Sequence, residues 1–201
     1  ELIDRWRQLI SRAKSQGLNP EQALVKSQTP REREAAELYA KYAQRLLAFN
    51  AVDFDDLIAL PVHVLETEEA VRTRWQAKLR YLLVDEYQDT NDAQYRMLRL
   101  LAGDRGMFTA VGDDDQSIYA WRGANPENLA ELGRDYPSLK IVKLEQNYRC
   151  AQRILRAANA VIAGNPHVHP KKLWSALPEG DRIRIVARGG DADEAEFVAM
   201  E

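Results

Sequence analysis

Apolar residues recur at helical spacing from residue 2 to about residue 48, as in Leu38, Tyr42, Leu46 and Phe49. The pattern breaks at Gly17-Leu18-Asn19-Pro20 and at Thr29-Pro30, so it predicts three helices. Asp53 is placed to cap a fourth, running to residue 65 and bent or broken near Pro61, and residues 68–79 predict a fifth. At Tyr81 the period changes to a short apolar run, Tyr81-Leu82-Leu83-Val84, that ends abruptly in carboxylates, as a buried parallel strand would. A helix over residues 93–101, a strand over 107–111, a polar loop, a helix from near Pro126 to Leu132 and a strand over 139–142 complete an alternation. Strands alternating with helices predict an open parallel α/β sheet. Residues 152–163 read as a further helix, and 182–187 as a strand opening a new unit whose next helix reaches Glu201.

Composition narrows the class. With 201 residues, 45% hydrophobic and 29% charged, the chain can bury one sizeable core or two small ones, which excludes a disordered polymer. No run of 18 apolar residues occurs, and Glu1-Leu2-Ile3-Asp4-Arg5-Trp6 has neither a basic flank nor a cleavable apolar stretch, so the expectation is a cytoplasmic protein with no membrane partner. One cysteine, Cys150, excludes an internal disulfide, and no Cys/His cluster has zinc-ligand spacing. The formal net charge of -3 argues weakly against nucleic-acid binding, yet residues 1–50 hold 9 Lys/Arg against 6 Asp/Glu, whereas residues 51–100 hold 6 against 10. A basic helical start could grip phosphates or could simply be solvated. The missing initiator Met, and a first residue already inside a helical pattern, suggest that both termini are cuts through a longer protein.

In parallel α/β sheets ligands sit beyond the carboxyl ends of the strands, and there Asp85 and Glu86 deliver two adjacent acids. Such a pair suits phosphoryl transfer: one can hold Mg²⁺ and the other can orient or deprotonate the attacking water. It also serves as a simple turn or helix cap. Gln116, just past the second expected strand, could touch a γ-phosphate or fill a loop hydrogen bond. Trp121, in a Gly/Arg/Ala context, could offer an exposed indole for base stacking or pack into the core. Tyr119 and Arg122 share that loop, and Trp6, Trp75 and Trp174 read as packing residues.

Four segments change the weighting. Asp85-Glu86-Tyr87-Gln88-Asp89-Thr90 resembles the Walker B motif of the Rep/UvrD/PcrA-type superfamily 1 DNA helicases, with the Rep type the nearest branch. Gly112-Asp113-Asp114-Asp115-Gln116-Ser117-Ile118-Tyr119-Ala120-Trp121-Arg122-Gly123-Ala124 resembles their third motif, and Leu144-Glu145-Gln146-Asn147-Tyr148-Arg149 the fourth. Asp53-Phe54-Asp55-Asp56-Leu57-Ile58 is similar to a segment upstream of Walker B, where Asp55 and Asp56 read as helix-capping residues without a catalytic role.

The resemblance implies a partial RecA-like P-loop NTPase sheet with an all-helical accessory subdomain: residues 1–66 accessory, 67–147 the C-terminal part of the first RecA-like domain, and 148–201 the start of the second. It implies ATP and Mg²⁺ as cofactors, with Asp85 on the metal. Glu86, Gln116 and Arg149 would be catalytic, Arg149 as arginine finger, and Tyr148 would stack on adenine. Single-stranded DNA and duplex junctions would be the partners, held by Trp121, Tyr119 and Arg122. All three catalytic groups would converge on one triphosphate pocket. No Gly-x-x-x-x-Gly-Lys-Ser/Thr occurs among the 10 glycines, so this stretch alone should bind ATP poorly. The alternatives are a non-enzymatic DNA-binding or interaction module, in which the acids are structural, and a nuclease-fused relative.

Overall fold

Proline and side-chain caps set the helices of the first fifty residues. The chain, analysed as a computed structural model, is described over residues 2–125, 127–167 and 169–201. Pro126, near which a helix is expected to begin, and the side chain of Arg122 lie outside the described residues. Helices α1 (Leu2–Ser15), α2 (Pro20–Lys26) and α3 (Pro30–Ala48) match the three expected. Asn19 with Gln22, and Thr29 with Glu32, form reciprocal capping boxes, each followed by a proline whose missing N–H costs nothing at a helix start. Helix α4 (Asp56–Thr67) runs through Pro61 unbroken; Asp53 Oδ1 accepts the Asp56 N–H at 2.9 Å, whereas Asp55, expected to cap, precedes the helix with helical backbone and makes no side-chain cap bond. Helix α5 (Glu69–Lys78) follows directly.

Two compact units divide the chain, residues 1–140 and 141–201. In the first, strands β1 (Leu82–Val84) and β2 (Phe108–Ala110) pair in parallel, flanking helix α6 (Asp92–Ala102), and α7 (Glu127–Asp135) comes after the polar loop. One sheet face, carrying Leu82, Val84, Phe108 and Ala110, packs on a core of Tyr87, Tyr95, Leu98 and Leu132. The opposite face is open: Leu83 is 80% exposed, so the apolar run at Tyr81 is buried on one side and not both. Residues 139–142 and 182–187 are not strands. Among the described residues the sheet has two strands, and a parallel strand exists only where a neighbour takes up its N–H and C=O groups.

A buried charge cluster ties the early helices together. Lys14 on α1 has a side chain only 2% exposed, and its Nζ donates to Asp53 Oδ2 and to Asp56 Oδ1, each at 2.7 Å. The rings of Tyr39 and Tyr42 on α3 lie 5.6 and 5.2 Å from the same ammonium. Burial opposes ionisation of Asp53, but the bonds from Lys14 and from the Asp56 N–H outweigh it and hold the carboxyl below its ordinary range. Burial, then the charges of Asp56, Asp53 and Asp55, push the Tyr39 hydroxyl up to about 12.

The second unit contains α8 (Gln152–Ile162) and α9 (Asp191–Met200). Gln146 bridges Trp174 in parallel, with Trp174 N–H donating to Glu145 C=O at 3.0 Å and Asn147 N–H to Trp174 C=O at 2.7 Å. The Asn159 amide pairs with both backbone groups of Leu173, and Arg153 and Arg156 meet Glu179. Trp75 at 41% and Trp174 at 51% exposure are not core residues, contrary to expectation: the Trp75 ring lies 4.9 Å from the Lys78 ammonium, and Trp174 is held through its backbone. No helix among the described residues is long and apolar enough to cross a membrane.

Candidate nucleotide and nucleic-acid site

The ladder between β1 and β2 continues past the strands. Val111 N–H donates to Val84 C=O at 2.8 Å, and Tyr87 N–H donates to Val111 C=O at 2.9 Å. These bonds carry Asp85 and Glu86 to the carboxyl edge of the sheet and set the polar loop from Gly112 alongside them. Glu86 adopts a left-handed backbone, φ 49° and ψ 42°, which turns the chain from the strand into a 3-10 turn over Tyr87–Asp89. Both carboxylates are exposed. Asp85 Oδ1 accepts the Glu86 N–H at 3.0 Å.

Gln88, 1% exposed, sits beneath the two acids. Its Nε2 donates to Glu86 Oε2 at 2.8 Å, its Oε1 accepts the Asp113 N–H at 3.0 Å, and its C=O accepts the Ser117 hydroxyl at 3.2 Å. Asp113 Oδ2 in turn accepts from Gln116 Nε2 at 2.8 Å. Glu86 and Gln116, both expected at one site, therefore belong to a single hydrogen-bonded line. Nothing in the sequence around Gln88 marks it for this role, because a buried amide is invisible to periodicity.

The same loop continues into the aromatics. Trp121 is 76% exposed, which decides between core and surface in favour of surface. Tyr119 is 38% exposed, and the two rings lie 6.2 Å apart at 48°. The loop is anchored at its far end, where Asn125 N–H and the buried Asn128 amide both donate to Thr90 C=O at 3.0 Å. Gly123, at φ 86°, turns the loop after Trp121 in a conformation that a side chain would strain, although a β-carbon there would meet Ser15 only at ordinary contact distance, 3.4 Å.

Tyr148 and Arg149 belong to the second unit. Tyr148 is 78% exposed and its hydroxyl donates to Gln146 Oε1 at 3.0 Å; Asn147 Oδ1 accepts the N–H groups of Arg149 and Cys150, at 3.0 and 2.8 Å, forming a tight turn before α8.

A family model for the UvrD/REP helicase N-terminal domain matches residues 3–137, and one for the UvrD-like helicase C-terminal domain matches residues 142–201. The chain belongs to the UvrD/Rep helicase family. Among its relatives, the ATP-dependent DNA helicase Rep of Escherichia coli (strain K12) is 50% identical over 200 residues, covering 100% of this chain and 30% of the relative. The protein of the same name from Salmonella typhimurium is 49% identical over 200 residues, again 100% of this chain and 30% of the relative. The ATP-dependent DNA helicase PcrA of Leuconostoc citreum is 45% identical over 190 residues, 94% and 25%. The chain thus spans about a third or less of the length of the curated relatives it matches.

Proposed function

We infer that this chain is part of an ATP-dependent DNA helicase that moves 3′ to 5′ along single-stranded DNA and opens duplex junctions, working in the cytoplasm. The observation that carries this is the line Glu86–Gln88–Asp113–Gln116 at the carboxyl edge of β1 and β2, on a loop that also bears the exposed Trp121. In the family's terms, residues 1–66 are an accessory subdomain, 67–147 the C-terminal part of a first RecA-like domain, and 148–201 the start of a second.

The donor set suits Mg²⁺: an exposed carboxylate at a strand end can supply one hard oxygen to an ion that keeps most of its water. Asp85 would hold the ion, which when bound would neutralise charge on the phosphates. Glu86 orients the attacking water and takes its proton. Gln116, exposed on the loop, presents its amide to the transferring phosphoryl group. Arg149 supplies a permanent cation as arginine finger and Tyr148 an aromatic face for adenine; these two roles rest on the motif match. Trp121, with Tyr119 beside it, offers a stacking platform for a nucleic-acid base. Arg122 belongs to this surface by motif alone.

A non-enzymatic DNA-binding module is the rival. Its basic helices lose Lys14, which is buried between two aspartates. ATPase of the full-length protein, with and without single-stranded DNA, separates the two. Hydrolysis stimulated by DNA, and abolished in Glu86→Gln while ATP and DNA still bind, is the expected result. Undiminished turnover in Glu86→Gln would remove the catalytic assignment.

A further inference from the structure

Gln88 makes three polar contacts at once, two through its side chain and one through its backbone. The Asp113 N–H can only donate, so the face of the amide toward it must be oxygen. That fixes Nε2 toward Glu86, whose carboxylate can only accept when ionised, and a flipped amide would oppose like groups at both ends. The backbone C=O of the same residue takes the Ser117 hydroxyl. Asp113 and Ser117 flank Gln116 on either side, so one buried residue brackets the loop around Gln116 while gripping Glu86. Gly112 makes this approach feasible: a β-carbon there would stand 3.0 Å from Gln88 Oε1 and 3.3 Å from Gln88 N and from Tyr87 Cβ.

We propose that Gln88 is the positioning residue that transmits the state of the Gln116–Trp121 loop to Glu86, so that DNA stimulation of hydrolysis passes through its side-chain amide. Gln88 is almost wholly buried, so its side chain acts on the site through Glu86 and Asp113. With Nε2 holding Oε2, Glu86 keeps Oε1 for the attacking water, and a shift of the loop displaces Asp113, rotates the Gln88 amide and re-aims that oxygen. The inference rests on the assignment of Glu86 and Gln116 given above.

The test is Gln88→Met in the full-length protein, which preserves volume and removes both side-chain hydrogen bonds. DNA-stimulated kcat should fall about ten- to a hundredfold, the range of one charge-assisted hydrogen bond, with KM for ATP and affinity for a single-stranded oligonucleotide held within about twofold. The ratio of DNA-stimulated to DNA-free rate should fall with it. Gly112→Ala, which reaches Gln88 without replacing it, should lower the same ratio several-fold and serves if the Met variant fails to fold. Retained stimulation in both variants overturns the proposal. So does a parallel loss of kcat, ATP binding and DNA binding, which would mark Gln88 as structural only. Glu86→Gln is run alongside: if it hydrolyses ATP normally, the catalytic assignment itself has failed, whereas an inactive Glu86→Gln with fully stimulated Gln88→Met condemns the positioning role alone.

Discussion

Replacing Lys14 by Met is the sharpest probe of how the helical part of the first unit is held together. The ammonium is almost wholly enclosed and touches two carboxylates at 2.7 Å each; the Asp53 and Asp56 side chains are 23% and 14% exposed. Removing the cation leaves two neighbouring anions with little water and no counter-charge. Breaking one side of a buried pair costs about 3–5 kcal/mol, and the residual solvent access of Asp53 favours the lower end, about 3 kcal/mol. For a chain of this size that corresponds to a fall of roughly 6–12 °C in Tm. The loss should be local in origin: amide hydrogen exchange at α1 and α4 should accelerate before that at β1 and β2. A triple variant, Lys14→Met with Asp53→Asn and Asp56→Asn, removes all three charges. It keeps an amide oxygen on the side chain at position 53 to accept the backbone N–H at position 56, and should recover more than half of the loss. Thermal unfolding followed by circular dichroism, with exchange measured by mass spectrometry, reads both. A single variant within about 1 kcal/mol of the native chain, or a triple variant no more stable than the single one, would refute the claim that these three residues act as one unit.

Two further outcomes are expected. Trp121→Ala should weaken binding of single-stranded DNA by about 1–3 kcal/mol, the range for one base stacked on an aromatic ring, and should blunt DNA-stimulated hydrolysis; fluorescence anisotropy with a labelled oligonucleotide checks it, and unchanged affinity removes the stacking role. Asp53, with its folded pKa below the unfolded value of about 3.9, contributes stability that is complete above that value and disappears as pH falls through the folded one. Acid titration should therefore loosen α1 and α4 below about pH 4, and the Asp53→Asn variant should show a shallower acid limb.

The helices were legible because their boundaries are written in local chemistry: Asn19-Pro20 and Thr29-Pro30 stop one helix and start the next without reference to the rest of the chain. Strands β1 and β2 were equally plain, each an apolar run between a helix and a polar loop. Residues 139–142 look the same in sequence yet form no strand, because pairing depends on a neighbour that apolarity cannot specify. Leu83 shows the same limit, since which sheet face is covered is decided by where α6 and α7 fall. At the site, the ends of strands singled out Asp85, Glu86 and Gln116 as candidates, whereas the context of Trp121 left core and surface both open, and only the fold shows it exposed. Lys14 and Gln88 were not announced. Lys14 meets acids 39 and 42 positions away, and Gln88 reaches a loop 25 positions on, contacts that only the folded chain creates.

The left-handed turn at Glu86 has a consequence for anyone seeking a sturdier form of this protein. An ordinary side chain in that conformation is strained by roughly 1 kcal/mol, and glycine or asparagine would relax it. A screen that rewards heat resistance alone would drift toward those residues at position 86, selecting hardy molecules with the proposed general base erased.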